Sequence, residues 1–133
     1  MPYLLDTSTC IAAMRNQTGV LKRMADLAPA DCVVSTITSY ELHTGIAKCA
    51  APARESAKVE VLLQAVVELP FGGRAAREAA RIRALLEAQG NMIGPYDVLL
   101  AAQALAAELT LVTGNFQEFC RVPDLVLEDW QQH

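Results

Sequence analysis

The strongest constraint on the fold is the alternation of short β-rich runs with longer helical segments along the whole chain. Apolar or β-branched runs predict strands at residues 3–6, 32–35, 66–69, 111–113 and 125–127. Helical patterns predict helices at residues 8–15, 20–27, 54–65, 74–88 and 97–109, one that Thr38 or Ser39 caps, and a short one carrying Phe116 and Phe119. Strands separated by helices predict an α/β fold with a parallel, doubly wound sheet of about five strands and helices on both faces.

Length and composition limit the classes of protein to which the chain can belong. Its 133 residues predict one domain over 1–133. No apolar run approaches the ~20 residues of a membrane helix, and the N-terminus lacks a signal peptide's basic region, so we expect a cytoplasmic protein with no membrane partner. The cysteines form no CxxC pair and stand at no zinc-ligand spacing from the histidines, which predicts buried free thiols at Cys10, Cys32, Cys49 and Cys120.

Acidic and amide side chains stand where predicted strands end. Asp6 ends the first strand, Glu41 lies in the first turns of the helix after the second, and Asp97 begins a nearly uncharged helix. Asn115 and Glu118 follow the fourth strand. The chain contains no GxxxxGK[ST] or GxGxxG phosphate-binding motif. Because strand C-termini and the following helix N-termini share one edge of such a sheet, these residues are predicted to converge there.

Each of these residues also has a purely structural interpretation. Asp6 and Asp97 are suited to helix capping, Glu41 to a favourable interaction with a helix dipole, Asn115 to a turn, and Glu118 to solvation. Several carboxylates brought together without a cation repel one another, and Mg²⁺ or Mn²⁺ removes that conflict. The joint placement therefore indicates metal-assisted hydrolysis of a phosphoester.

Four motifs, LLDTS, SYEL, IGPYDVLLAAQA and LVTGNFQEF, resemble in this order the PIN-domain ribonucleases, specifically the VapC toxins of prokaryotic VapBC toxin–antitoxin pairs. The resemblance runs from Tyr3 to Trp130, and the tail RVPDLVLEDW is similar to one VapC subgroup. It implies a PIN-domain endoribonuclease that requires Mg²⁺ or Mn²⁺ and cuts structured RNA such as a tRNA. The subgroup suggests the anticodon loop of initiator tRNA. The family also implies a homodimer and a VapB-type antitoxin whose C-terminal segment wraps the toxin and enters the site.

By that resemblance, Asp6, Glu41 and Asp97 match the family's acidic triad, and Asn115 falls where many PIN domains carry a fourth acid. Asp6 and Asp97 would be direct metal ligands. Glu41 would bind a second ion or orient the attacking water, and Asn115 would contribute from an outer position. The amide of Asn115 lowers the negative charge of the site relative to a four-acid arrangement.

Supporting roles come from the same resemblance. Thr7 and Thr113 match small hydroxylic positions that order the acids, with Thr7 expected to hold Asp6, and Glu118 matches an accessory acid. Gly114 is a departure, because related VapC sequences often carry asparagine there.

The net charge of −4 argues mildly against nucleic-acid binding but does not describe local patches. Phosphate contacts are expected from five basic residues: Arg15, Lys48, Arg77, Arg81 and Arg121. Arg74, Arg77 and Arg81 share a helical spacing that indicates either a basic stripe or a solvated face beside Glu78. For the antitoxin, the candidate contacts are apolar residues of the early helices, which also suit ordinary core packing: Ile11, Ala12, Leu21, Met24 and Leu27.

Two other functions remain open from the sequence. An aspartate-nucleophile phosphatase also places an aspartate after the first strand, but commonly carries a second one where this chain has Ser8. A catalytically degenerate PIN domain would act only as a protein- or RNA-binding module, and the complete triad argues against it. Trapping a covalent aspartyl-phosphate would support the phosphatase. Metal-dependent cleavage of RNA, with an Asp6→Asn control, separates the binding module from the ribonuclease.

Overall fold

A computed structural model of the chain describes residues 2–131. Within them, five strands form: Tyr3–Leu5 (β1), Cys32–Ser35 (β2), Val67–Leu69 (β3), Thr110–Val112 (β4) and Leu127–Glu128 (β5). The α-helices of the same residues are Thr7–Met14 (α1), Thr18–Asp26 (α2), Thr36–Lys48 (α3), Pro52–Gln64 (α4), Gly73–Ala88 (α5), Pro95–Ala106 (α6) and Phe116–Phe119 (α7). A short 3-10 helix, Pro29–Asp31, precedes β2.

All neighbouring strands pair in parallel, in the order β3-β2-β1-β4-β5. Leu5 of β1 pairs with Val34 of β2 on one side and with Val112 of β4 on the other. The order in sequence reverses between β1 and β4, and ligands of such sheets bind beside this switch point, at the C-terminal ends of the strands. The predicted five-stranded parallel sheet is confirmed.

The sheet is covered on both faces because successive strand residues point to opposite sides. Leu4, Val33 and Leu111 belong to one buried cluster, which α5 and α6 help to form. Leu5 and Val112 belong to the other, with residues from α1, α2 and α4. Helices on both faces, as the sequence predicted, keep the short central strands away from water.

The start of α3 differs most from the sequence prediction. Helix α3 begins at Thr36, and its cap is Ser35, whose Oγ accepts a hydrogen bond from the Ile37 N–H at 3.0 Å. Thr38 and Ser39, the predicted caps, are buried inside the helix. The last residue of a buried strand thus serves as the helix cap as well, which left no loop residues to mark the boundary.

Smaller boundary differences occur elsewhere: α6 runs from Pro95 to Ala106 instead of 97–109. β5 spans Leu127–Glu128 instead of 125–127. Asp124 adopts a positive φ of 66°, and the first residue that pairs with β4 is Leu127. The 3-10 helix before β2 was not predicted.

Two further predictions concern membranes and thiols. In the part of the chain that the structure describes, no helix has the length and apolar character needed to cross a membrane. All four cysteines are free thiols. Cys10 and Cys32 are buried as predicted, whereas Cys49 is half-buried and Cys120, just after the short α7, is exposed.

Candidate active site

Asp6 combines the capping role and the strand-edge position that the sequence offered as alternatives. It is the N-cap of α1, and its Oδ1 accepts hydrogen bonds from the Thr9 N–H and the Ser8 hydroxyl, both at 2.8 Å. Its own N–H donates to the Val112 carbonyl at 3.0 Å, which fixes the carboxylate at the junction of β1 and β4. Asp6 is only 4% exposed, and within residues 2–131 no group donates a hydrogen bond to Oδ2. One carboxylate oxygen therefore holds the helix, and the other is available to a ligand.

Glu41 lies in the second turn of α3 and is held by a residue of α1. The Thr7 hydroxyl donates a hydrogen bond of 2.7 Å to Glu41 Oε1 and lies 3.1 Å from the Thr38 hydroxyl. The prediction that Thr7 holds Asp6 is therefore wrong, because the Thr7 hydroxyl contacts Glu41 and Thr38 instead. Asp6 reaches forward to the third residue of α1, whereas Thr7 begins the helix and faces α3.

Asp97 is the third residue of α6, two positions after the helix begins. Gly94 occupies the N-cap position, so Asp97 is not the cap. Burial raises the pKa of Asp97 to about 7, together with a hydrogen bond to Glu118 and the negative charges of Glu118, Asp6 and Glu41. The structure thus brings the carboxylates of all three sheet-edge segments within electrostatic reach of one another.

Asn115 joins this group through Glu118. Thr113, fully buried at the end of β4, accepts a hydrogen bond of 2.9 Å from the Asn115 N–H. The Asn115 side-chain amide donates to Glu118 Oε2 at 2.8 Å, and Glu118 in turn contacts Asp97. Asn115 therefore acts on Asp97 through an intermediate carboxylate, and Thr113 fixes the turn that carries it.

These carboxylates lack cationic partners. The ion pairs among residues 2–131 are Arg23–Glu128, Arg81–Glu78 and Arg83–Glu87, none of which involves Asp6, Glu41, Asp97 or Glu118. We call these four residues the acid site. Over the same residues, no three His, Cys, Asp or Glu side chains are close enough to enclose an ion as they stand. Carboxylates without a counter-charge repel one another, and their hard oxygen atoms are the donor type that Mg²⁺ and Mn²⁺ prefer, so the donor set fits such an ion.

The structure explains why position 114 is occupied by glycine. A Cβ atom at Gly114 would lie 2.6 Å from Nε2 of Gln131, which is closer than non-bonded atoms allow. The glycine thus leaves room for the side chain of Gln131 next to the turn that bears Asn115. An asparagine at this position would require Gln131 to move.

The basic residues predicted to contact RNA do not form one patch. Arg15 is the C-cap of α1, about 13 Å of helix rise from Asp6, and lines a cavity of about 470 Å³ together with Ser8. Lys48 ends α3, and about 10 Å of helix rise separates it from Glu41. Of the remaining three, one is exposed and two already bond to other residues of the chain. Arg77 is exposed, Arg81 pairs with Glu78, and Arg121 donates to the Met92 carbonyl at 2.8 Å.

The apolar candidates for antitoxin binding are also divided. Leu21 and Met24 line a groove of about 400 Å³ between α1, α2 and α4, together with Val61 of α4. Ile11 and Ala12 line the separate cavity beside Ser8 and Arg15, and Leu27 packs against the buried cluster of that face.

Sequence reasoning missed a pair of tyrosines beside the acids. Tyr40 precedes Glu41 and Tyr96 precedes Asp97, and their rings form an edge-to-face pair with centroids 5.6 Å apart and an interplanar angle of 63°. The Tyr96 hydroxyl donates to the Tyr40 hydroxyl at 3.2 Å, and this bond raises the pKa of Tyr96. The signal was present in SYEL and GPYD, where a tyrosine directly precedes each acid.

Comparisons with known proteins agree with this architecture. The PIN domain family model matches residues 3–125. The tRNA(fMet)-specific endonuclease VapC of Salmonella typhimurium is 35% identical over 130 residues, which cover 98% of both chains. Ribonuclease VapC2 of Rickettsia felis is 31% identical over 134 residues, 99% of this chain and 100% of that protein. The crystal structure of VapBC2 from Rickettsia felis, bound to a DNA fragment from its promoter, matches with a TM-score of 0.93 at 31% identity, over 98% of this chain and 100% of that one.

Proposed function

This chain belongs to the PIN domain family and, within it, to the VapC ribonucleases of VapBC toxin–antitoxin systems, and from that premise we propose that it is a toxin that hydrolyses tRNA with Mg²⁺ or Mn²⁺. The similarity to a relative named for tRNA(fMet) makes initiator tRNA the first substrate to test, with the anticodon loop as the proposed cut site. A tRNA substrate places the proposed activity in the cytoplasm.

The observation that carries this proposal is the acid site at the switch point of the sheet. Its four carboxylates have no cationic partner among residues 2–131, and their proximity contributes to the raised pKa of Asp97. A fold that holds repelling charges together gains stability when a cation binds among them. The donor oxygens of Asp6 and Asp97 would hold a divalent ion, with Glu41 as a further ligand.

Each residue has a defined part in the proposed hydrolysis. When bound, a divalent ion would supply positive charge to the phosphoryl oxygens and increase the acidity of the attacking water. Glu41, fixed by the Thr7 hydroxyl at 2.7 Å, would orient that water and accept its proton. Asn115 would keep Glu118 in place beside Asp97, as a contributor from outside the ligand set.

Substrate binding would draw on scattered basic residues rather than a basic face. Arg15 lines a cavity together with Ser8, whose hydroxyl donates to Asp6, and would contact a phosphate along that cavity. Arg77 and Lys48 are exposed and free to contact more distant phosphates. Arg81 and Arg121 would first have to give up the contacts to Glu78 and to the Met92 carbonyl, so we rank them last.

We also propose a VapB-type antitoxin and a homodimer as partners. The structural neighbour from Rickettsia felis is a VapBC2 complex. The groove between α1, α2 and α4 offers exposed apolar side chains, Leu21 and Val61 among them, to an amphipathic segment of the antitoxin. The groove includes Ala13 near the C-terminal end of α1, about 11 Å of helix rise from Asp6 at the other end, and an antitoxin segment would follow α1 over that distance to reach the acid site.

Cleavage of purified initiator and elongator tRNAs, followed by sequencing of the RNA ends, tests the activity directly. We expect cuts within the anticodon loop of initiator tRNA in Mg²⁺ or Mn²⁺, none in EDTA, and none by Asp6→Asn. Because asparagine is as good an N-cap as aspartate, Asp6→Asn preserves the fold. Undiminished cleavage in EDTA would contradict the metal requirement. RNA binding without cleavage under every condition would establish the non-catalytic binding module instead.

A further inference from the structure

The exposed aromatic residues of this chain are all at the acid site. The sequence has seven aromatic residues, and the structure describes every one. Three of them are exposed: Tyr40 at 54%, Tyr96 at 40% and Phe116 at 42%. Each is adjacent in sequence to a predicted site residue, namely Glu41, Asp97 and Asn115. The other four are buried or half-buried: Tyr3, Phe71, Phe119 and Trp130.

The topology places these rings on two sides of Asp6. Tyr40 belongs to α3, which follows β2, and Phe116 belongs to α7, which follows β4. β1, which ends directly before Asp6, lies between those two strands. Tyr96 lies against Tyr40, with a hydrogen bond of 3.2 Å between their hydroxyls. All three residues are exposed, so the pair and Phe116 present aromatic surface on both sides of Asp6.

Folding alone does not account for this placement. Apolar area left in water contributes nothing to the core, and among residues 2–131 the two hydroxyls bond only to each other. The same edge carries four carboxylates without cationic partners, which repel the phosphates of a nucleic acid. Uncharged contacts with bases avoid that repulsion, because stacking on an aromatic ring involves no phosphate.

We propose that Tyr40, Tyr96 and Phe116 are stacking surfaces for unpaired RNA bases on either side of the phosphodiester at the acid site. The substrate class that follows is RNA whose bases are free to turn out of a helix, such as a loop, whereas bases in a duplex are already stacked on their neighbours. This inference rests on the proposed ribonuclease function. It adds a reason for loop selectivity that does not depend on a basic surface.

Binding measured without turnover tests the inference separately from catalysis. Fluorescence anisotropy would follow a labelled single-stranded RNA and the same RNA in a duplex, with Asp6→Asn protein in Mg²⁺. Leucine substitutions of Tyr40, Tyr96 or Phe116 should each weaken single-strand binding by about tenfold and leave duplex binding unchanged. Tyr40→Phe keeps the ring and should bind like the parent. Val126→Ala, which changes an exposed apolar residue outside the site, should have no effect.

Two further measurements separate stacking from charge. The factor by which a ring substitution weakens RNA binding should be the same at every salt concentration. Arg15→Ala should instead make the binding affinity less dependent on salt concentration. An abasic nucleotide beside the cut site should weaken binding to the parent protein about as much as Tyr40→Leu does. Combining the abasic nucleotide with Tyr40→Leu should then weaken binding little more than either change alone.

The outcomes are distinct for the two proposals. Absence of metal-dependent cleavage by the wild type would remove the ribonuclease proposal, whatever the rings do in binding. Cleavage with unaltered single-strand binding in all three leucine variants would overturn the stacking proposal alone. Sedimentation provides the remaining criterion: variants that dissociate a dimer while the protein binds RNA as before would show that the rings contact a second copy of the chain.

Discussion

The surroundings of Glu128 and those of the acid-site carboxylates are opposite in kind. Glu128 of β5 has partners: its Oε1 accepts hydrogen bonds from Arg23 at 3.2 Å and from the Trp130 indole N–H at 3.0 Å. The Arg23 guanidinium lies over the rings of Trp130 and Tyr3, 4.9 and 5.8 Å from their centroids. We call these four residues the C-terminal latch. The carboxylates of the acid site, by contrast, have no cation beside them among the described residues.

This difference indicates that the latch contributes to stability, whereas the acid site is suited to function. In the latch, charge and aromatic packing join the end of the chain to α2 and β1, so every contact favours the folded state. In the acid site, burial and repulsion raise the pKa of Asp97, which is a cost that folding alone gives no reason to retain. Residues that destabilise the free protein in this way are candidates for binding a ligand of opposite charge.

The largest expected effect is the loss of RNA cleavage when a carboxylate of the acid site is replaced. Asp6→Asn, Glu41→Gln and Asp97→Asn should each lower RNA cleavage at least about a hundredfold, because each removes a charge needed for the metal or the water. The free energy of unfolding in EDTA should stay equal or rise, because the substitution relieves repulsion. Cleavage rates and urea unfolding of the same preparations provide the comparison.

Glu128→Gln is the matched control, since it makes the same chemical change in the latch. It should retain full cleavage activity and lose less than about 1 kcal/mol of stability, as expected for a partly exposed ion pair. Full activity of Asp6→Asn would remove Asp6 from the site. Marked destabilisation of both Asp6→Asn and Asp97→Asn in EDTA would make these residues structural.

The sequence contained enough to predict the sheet and the acid positions. Short apolar runs, bounded by polar residues and separated by helices, fix strand positions within a few residues, and strand ends fix where Asp6 and Asn115 lie. Hydrogen-bond partners such as Thr7 for Glu41 depend on how α1 packs against α3. Such packing has no local sequence signal. The start of α3 was misjudged because Ser35 is at once strand residue and helix cap.

The latch should show the next largest effect, and it concerns stability. Trp130 is 3% exposed and packs edge-to-face on Tyr3 with centroids 5.2 Å apart. Trp130→Ala should destabilise the protein by about 3 kcal/mol, as truncation of a buried aromatic residue commonly does. Trp130→Phe retains a ring but loses the hydrogen bond to Glu128, and should cost less. Thermal unfolding of both variants gives the values, and a loss below about 1 kcal/mol for Trp130→Ala would contradict the role of the latch.

The pH dependence of stability should differ between the two groups. The pKa of Asp97 is about 7 in the folded protein against an ordinary 3.8, so the unfolded chain releases this proton first as pH rises. The contribution of protonated Asp97 is therefore complete below about pH 4 and is lost as pH rises toward 7. Because the side chain is half-exposed, solvent screening limits the loss to about 1 kcal/mol.

Unfolding in EDTA between pH 5 and 7.5 measures this loss as the difference between wild type and Asp97→Asn. Asp97→Asn should show the shallower decline, and Glu128→Gln should follow the wild type. Under the proposed function, saturating Mg²⁺ should oppose the decline, since the ionised carboxylates would bind it. Parallel curves for wild type and Asp97→Asn would mean that Asp97 ionises as an ordinary surface carboxylate.

The smallest effect is expected at Asn115, which touches the acid site only through Glu118. Asn115→Asp adds a charge beside Glu118, so the Mn²⁺ concentration for half-maximal cleavage should fall and stability in EDTA should drop by about 1 kcal/mol. Asn115→Ala removes the 2.8 Å hydrogen bond to Glu118 and should weaken cleavage less than any triad substitution. Both variants keep the backbone contact to Thr113, so the turn is retained. Titration of Mn²⁺ against cleavage rate distinguishes the cases, because identical metal dependence in all three proteins would leave Asn115 with the turn as its sole role.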